Sequence, residues 1–218
     1  MNRSKKIDIR MMAVLAMLCA LAYVSVLVFS PIKVQFLSFE IKDAILAIGA
    51  FLYGPWVALL SVVMVAFLEL VTISQTGWIG LLMNVLSSAF FLCPAALGYR
   101  RRRSMSGAIN GLVLGVLLTT GAMVLWNWLV TPLYMHVPRE TVEQMLIPLF
   151  LPFNALKATI NAVLTVLLYK SVVTALRKAR LFPTADTSST KTRWRVFIPA
   201  AVLLVALVAV LLVWSSVK

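Results

Sequence analysis

The stretch LPFNALKATIN, residues 151–161, sets Asn154, Lys157 and Asn161 inside a run whose neighbours on both sides are apolar. Spacings of three and four residues stack these side chains on one face of a helix. At about 1.5 Å per residue, Lys157 falls on the order of 15 Å below the start of that run. A lysine at such depth in an apolar segment costs roughly 2.5–3.5 kcal/mol even on lenient insertion scales, so it should face a protein interior and meet partners there.

Composition supplies the setting. Of 218 residues, 62% are hydrophobic and 12% charged, and the mean hydropathy is +0.99, far above what a water-soluble core of this size requires. The net charge of +13 comes from 20 basic against 7 acidic residues. The basic residues fall in short strips between apolar segments, a pattern that signals membrane topology and argues against nucleic-acid binding. Cys19 and Cys93 lie in different apolar runs and read as packing residues.

Apolar runs cover residues 11–29, 43–53, 55–73, 78–99, 107–130, 147–176 and 196–214. The first follows Arg3, Lys5, Lys6 and Arg10 and is longer than a signal-peptide core, so it is read as a retained transmembrane helix. The second is short and ends at Gly54-Pro55, a turn that starts the next helix. Without water to satisfy backbone amides, such segments must be helices or a closed barrel, and the lack of alternation excludes the barrel. The expectation is an all-α polytopic bundle: a membrane domain over residues 1–182, a polar linker over 183–195 rich in Ser and Thr, and an additional transmembrane helix within 196–218. No internal repeat is visible, which weakens the case for a transporter built from inverted halves.

With alternating spans, the N-terminus, arginines 100–103 and the basic segment after residue 176 share one side, the cytoplasmic one. The opposite loops, which hold Lys33, Glu40, Lys42, Arg139, Glu140 and Glu143, carry little net charge. On that scheme Glu69, Asn84, Asn127, Asn154 and Lys157, from four helices, all rise into the outward half of the membrane. The expectation is a ligand pocket open to the outside. The alternative is a structural Glu69–Lys157 pair with asparagines joining helices.

At this point the segments FEIKDAILAIGAFLYGP (39–55), ISQTGWIGLLMN (73–84), LWNWLVTPLYMHVPRE (125–140) and LPFNALK (151–157) resemble the riboflavin-specific substrate-binding subunits, or S components, of the energy-coupling factor (ECF) transporters of Gram-positive bacteria. The resemblance runs from about residue 10 to residue 182. It implies a six-helix core, to which the seventh apolar run is an addition, with a vitamin site captured by the loop after the first helix. It also implies a transmembrane coupling subunit and two cytoplasmic ATPases as partners in the bacterial cell membrane, with the N-terminus cytoplasmic.

By the same resemblance, Asn154 and Lys157 meet the isoalloxazine ring, Asn127 adds a polar contact, and Glu69 accepts hydrogen bonds from the ribityl hydroxyls. An amide matches the uracil-like edge of the ring with its own donor and acceptor, and an ionised carboxylate is an acceptor only. Asn84 is either a ligand contact or a tie between helices. Aromatic packing on the ring falls to Phe36, Trp78, Trp126 or Phe153, each equally an ordinary interface aromatic. In the first helix Ala16 and Ala20, one turn apart with Ala13 nearby, have the spacing that lets another helix approach closely, and the resemblance makes this the docking face for the coupling subunit.

Enzymatic readings find no support. His136 stands beside no Cys or carboxylate cluster that would make a metal site or a triad, and no Walker motif is present, so ATP must be hydrolysed elsewhere. Flavin is therefore expected as cargo rather than cofactor, with flavin mononucleotide as a further candidate ligand. Two other readings stay open: an S component for another vitamin, and a solitary ion-coupled carrier using Glu69 and Lys157.

Overall fold

The computed structural model describes residues 9–178 apart from 30, 32, 35, 36 and 103. The expected linker over 183–195 and the seventh helix over 196–214 lie outside the described residues. Seven α-helices follow in order: α1 (Ile9–Phe29), α2 (Lys42–Tyr53), α3 (Pro55–Thr72), α4 (Gly77–Arg102), α5 (Met105–Met135), α6 (Arg139–Met145) and α7 (Leu151–Lys178). A π-helical turn, Leu146–Phe150, joins α6 to α7 into one continuous rod, so the described chain is a bundle of six helical rods, as the sequence implied.

Five of these rods are long and apolar enough to cross a membrane. The exception is α2, whose 12 residues span roughly 18 Å at about 1.5 Å each, against a hydrocarbon core of about 30 Å. Its far end is fixed by Gly54, whose φ of 96° is a conformation that favours glycine. Pro55 then occupies the first turn of α3, where its missing N–H costs nothing. A Cβ at Gly54 would meet the Arg100 guanidinium at 4.0 Å, so this turn lies at the end of the bundle where α4 finishes. The start of α2 therefore sits inside the bundle, facing the opposite end.

Between α1 and α2 the chain forms a two-stranded antiparallel hairpin, β1 (Lys33–Val34) and β2 (Leu37–Ser38), pairing Lys33 with Ser38 and Val34 with Leu37. Nothing in the apolar pattern announced it. Helix ends also run past the apolar runs. Helix α5 continues through Pro132 to Met135, five residues beyond the expected stop at residue 130. Arg139, Glu140 and Glu143, read as an outer loop, form the turns of α6.

The π turn has a local cause. Pro148 and Pro152 remove two N–H donors from the ladder, and the helix adjusts so that the Leu151 N–H reaches back five residues to the Leu146 carbonyl. Such turns concentrate at functional sites, and this one stands immediately before Asn154.

The tightest packing joins α4 to α5. A Cβ on Gly111 would lie 2.6 Å from the Pro94 carbonyl, and one on Gly115 would lie 2.6 Å from that of Phe91, so the two helices meet backbone to backbone. Lipid supplies no hydrophobic drive for helices to associate, and such close approach provides packing in its place. The core at the bundle centre includes Phe51, Phe91, Leu92, Val62 and Leu112.

Candidate functional site

A cavity of about 410 Å³ opens at the end of the bundle where α3 finishes and α4 begins. Its wall is built from the hairpin, the ends of α3 and α5, the starts of α4 and α7, and the short link between α3 and α4. Glu69, Asn84, Asn127, Asn154 and Lys157 all line it, so the five polar residues singled out in the sequence come together from four helices.

Glu69 and Lys157 do not pair with each other directly. Lys157 Nζ donates to Glu40 Oε2 at 3.0 Å, and Lys42 Nζ lies 3.2 Å from that same oxygen. Lys42 Nζ also donates to both Glu69 oxygens, at 2.6 and 2.7 Å. The result is a ladder of alternating charge, Lys157–Glu40–Lys42–Glu69, that sums to zero. Lys42 and Glu69 side chains are each only 4% exposed. Removing Lys42 would leave the buried Glu69 carboxylate without its cation, at a cost of roughly 3–5 kcal/mol.

Glu40 and Lys42 were read in the sequence as ordinary charges of an outer loop. The structure puts them at the junction of hairpin and α2, inside the protein, where Glu40 is 8% and Lys42 3% exposed. Glu40 lines the cavity beside Lys157. The Lys157 and Lys42 ammoniums beside it compensate its charge.

The amides divide by task. Asn84 donates to Glu69 Oε2 at 2.6 Å and so fixes the carboxylate from the α4 side while lining the cavity. Asn154 donates to the Phe150 carbonyl of the π turn at 2.7 Å, an arrangement in which the remaining Oδ1 makes no hydrogen bond among the described residues. Asn127 uses both ends on its own helix: it donates to the Met123 carbonyl at 2.6 Å and accepts from Thr131 Oγ1 at 2.9 Å.

Asn161, one turn below Lys157, has a different place. It donates to the carbonyls of Glu40 and Lys157, both at 2.9 Å, and accepts from the Ala44 N–H at 2.9 Å. It staples the hairpin–α2 junction to α7 and does not line the cavity. Asp43 is similarly occupied, accepting from Ser88 of α4.

Of the aromatic residues considered for ring packing, Phe153 lines the cavity. Trp78 is 68% exposed and Trp126 is half-buried; neither reaches the wall, and Phe36 lies outside the described residues. Tyr134, Met83 and Met123 supply further apolar or amphipathic surface there. On α1, Ala13, Ala16 and Ala20 are exposed, whereas Val14, Leu18 and Ala22 are buried; the small residues lie on the outward face, beside the exposed Met12, Met17 and Leu21. Among the described residues no group of three His, Cys, Asp or Glu side chains is placed to hold a metal ion.

A family model described as the substrate-specific component of ECF transporters matches residues 10–169. The riboflavin transporter RibU of Staphylococcus aureus (strain TCH60) is 25% identical over 189 residues, which cover 82% of this chain and 100% of that relative. A solved S component of a bacterial ECF transporter superposes with a TM-score of 0.65 at 23% identity, covering 77% of this chain and 98% of that one. The latter likeness is one of fold.

Proposed function

The chain belongs to the substrate-specific components of ECF transporters, membrane proteins that bind a substrate for transport and are not enzymes, and on that premise we propose that its substrate is riboflavin. The observation that carries the reading is the convergence of Glu69, Asn84, Asn127, Asn154 and Lys157 on one cavity, in a chain whose relative along most of its length is a riboflavin transporter.

The chemistry of the wall suits a molecule with a flat polar ring and a polyol tail. Asn154 Oδ1 accepts from the ring imide N–H, and the Lys157 ammonium donates to an adjacent ring carbonyl. Glu69, held by Lys42 and Asn84, has lone pairs to spare for ribityl hydroxyls, and hydrogen bonds to an ionised acceptor are about twice as strong as neutral ones. Phe153 and the methionines give the ring an apolar surface. Asn127, with both ends engaged on its own helix, meets the ligand after exchanging the Thr131 bond.

Riboflavin enters from the extracellular side, because the cavity opens at the end of the bundle remote from the exposed arginines 100–102 and basic ends face the cytoplasm. The N-terminus is then cytoplasmic. Translocation is driven by a coupling subunit and two ATPases, for which the exposed Ala13, Ala16 and Ala20 face of α1 is the docking surface.

The test is a titration of the purified chain with riboflavin, read by quenching of flavin fluorescence, beside parallel titrations with thiamine, biotin and flavin mononucleotide. Saturable quenching by riboflavin, with no competition from the two unrelated vitamins, is expected. Competition by either would redirect the assignment to another vitamin, and uptake by cells lacking coupling and ATPase subunits would identify a solitary carrier.

A further inference from the structure

A second concavity, of about 500 Å³, lies at the opposite end of the bundle along the seam of α4 and α5, lined by Pro94, Leu97, Arg101, Arg102, Asn110 and Leu114 among others. Its floor exists because glycines leave it bare. Gly98, Gly107 and Gly111 all line it, and at each an added Cβ would come within 2.9 Å of the facing helix, so no side chain fills the seam. Its walls are leucines that stand out into the surroundings: Leu97 is 47%, Leu114 50% and Leu118 41% exposed.

Length and chemistry change together along this groove. From Gly107 to Leu118 it follows α5 for roughly 16 Å at about 1.5 Å per residue, which is about one leaflet of a ~30 Å hydrocarbon core. The deep end is aliphatic. The mouth holds the exposed guanidinium groups of Arg101 and Arg102, neither of which forms an ion pair with a described carboxylate. The start of α5 adds its positive helix end at the same place. Between mouth and deep end stands Asn110, exposed and without a hydrogen bond among the described residues, although an amide at that depth is costly without a partner.

We infer that this groove is a binding site for one anionic phospholipid of the leaflet opposite the substrate cavity, with an acyl chain along Leu97, Gly111, Leu114 and Leu118, an ester carbonyl at Asn110 and the phosphate at Arg101 and Arg102. Basic recesses between helices at a membrane face recognise such headgroups. A partner helix is the weaker occupant: it would cover the apolar seam but leave two guanidinium groups facing lipid headgroups without a matched anion. A soluble phosphate ester would use the mouth and leave the leaflet-long apolar channel unexplained.

The experiment uses the full chain in a mild detergent, with phosphatidylglycerol, phosphatidylcholine and inorganic phosphate as separate probes, read by native mass spectrometry and by the thermal midpoint. Phosphatidylglycerol should bind as a retained adduct and raise the midpoint, while the other two do neither. The Arg101→Gln/Arg102→Gln pair should weaken phosphatidylglycerol by about 30-fold, from the typical worth of two basic residues at an anionic surface. Leu114→Trp, which places a ring in the channel at an exposed position, should abolish the adduct without moving the lipid-free midpoint. Equal effects of the two lipids, a full effect of inorganic phosphate, or an unchanged response in the arginine variant would overturn the assignment. Should Leu114→Trp fail to fold, the arginine variant and the comparison of lipids decide it.

Discussion

Lys42 Nζ lies 2.6 and 2.7 Å from the two carboxylate oxygens of Glu69, joining the first residue of α2 to the last turn of α3. Lys42 itself does not line the cavity, whereas Glu69 does. The lysine is therefore a positioning residue: it holds and aims the carboxylate while Asn84 holds one of its oxygens.

Lys42→Met should therefore destabilise the protein by roughly 3–5 kcal/mol, since it strands a buried carboxylate, and should weaken riboflavin binding with it. Adding Glu69→Gln should recover much of the stability, because the pair is then uncharged, but not the affinity. Melting curves with and without riboflavin measure both. A single Lys42→Met variant that melts and binds as the parent does would contradict the role given to the ladder.

Lys157→Met leaves Glu40 with its second partner, Lys42, 3.2 Å away, so the fold should survive. Affinity should fall by about 10- to 100-fold, the worth of a hydrogen bond from a charged donor. Fluorescence titration of the variant provides the number, and undiminished binding would remove Lys157 from the site.

Asn154→Ala and Asn161→Ala should separate, although the two residues share a helix face. The first loses a cavity amide and should cost affinity with little change in melting. The second breaks the two hydrogen bonds between α7 and the hairpin–α2 junction and leaves the buried Ala44 N–H only its longer 3.2 Å bond to the Ile41 carbonyl, a loss of about 1–3 kcal/mol, so it should lower the melting midpoint first. The reverse order of effects would exchange their assignments.

Ala16→Trp, on the exposed face of α1, should abolish riboflavin uptake in cells that hold the coupling and ATPase subunits, while purified protein still binds the vitamin. Loss of binding as well would mean that Ala16 serves the fold.

Much of the cavity's polar lining was legible in the sequence because a polar residue within an apolar run is conspicuous: Glu69, Asn84, Asn127, Asn154 and Lys157 each interrupt one. Glu40 and Lys42 were not, for the same reason reversed. They stand where the apolar pattern pauses between two runs, and composition there reads as an exposed loop. The signal that would have placed them is the shortness of the following run. A helix of 12 residues must start part-way through the membrane, and its first charges start there with it. The hairpin was illegible because strands of two residues carry no periodicity. Pro148 and Pro152 were visible, but a missing donor alone does not tell a π turn from a break. Trp78 and Trp126 were considered for the ring because they are aromatic and near polar residues; nearness along the chain did not fix which way they face.

On the proposed function, one cavity receives one flavin between α3 and α7. Determining the structure of the protein saturated with riboflavin tests that most directly. The ring edge should lie within hydrogen-bond distance of Asn154 and Lys157, with the ribityl chain against Glu69. A flavin bound elsewhere, or a cavity that stays empty at saturation, would contradict it.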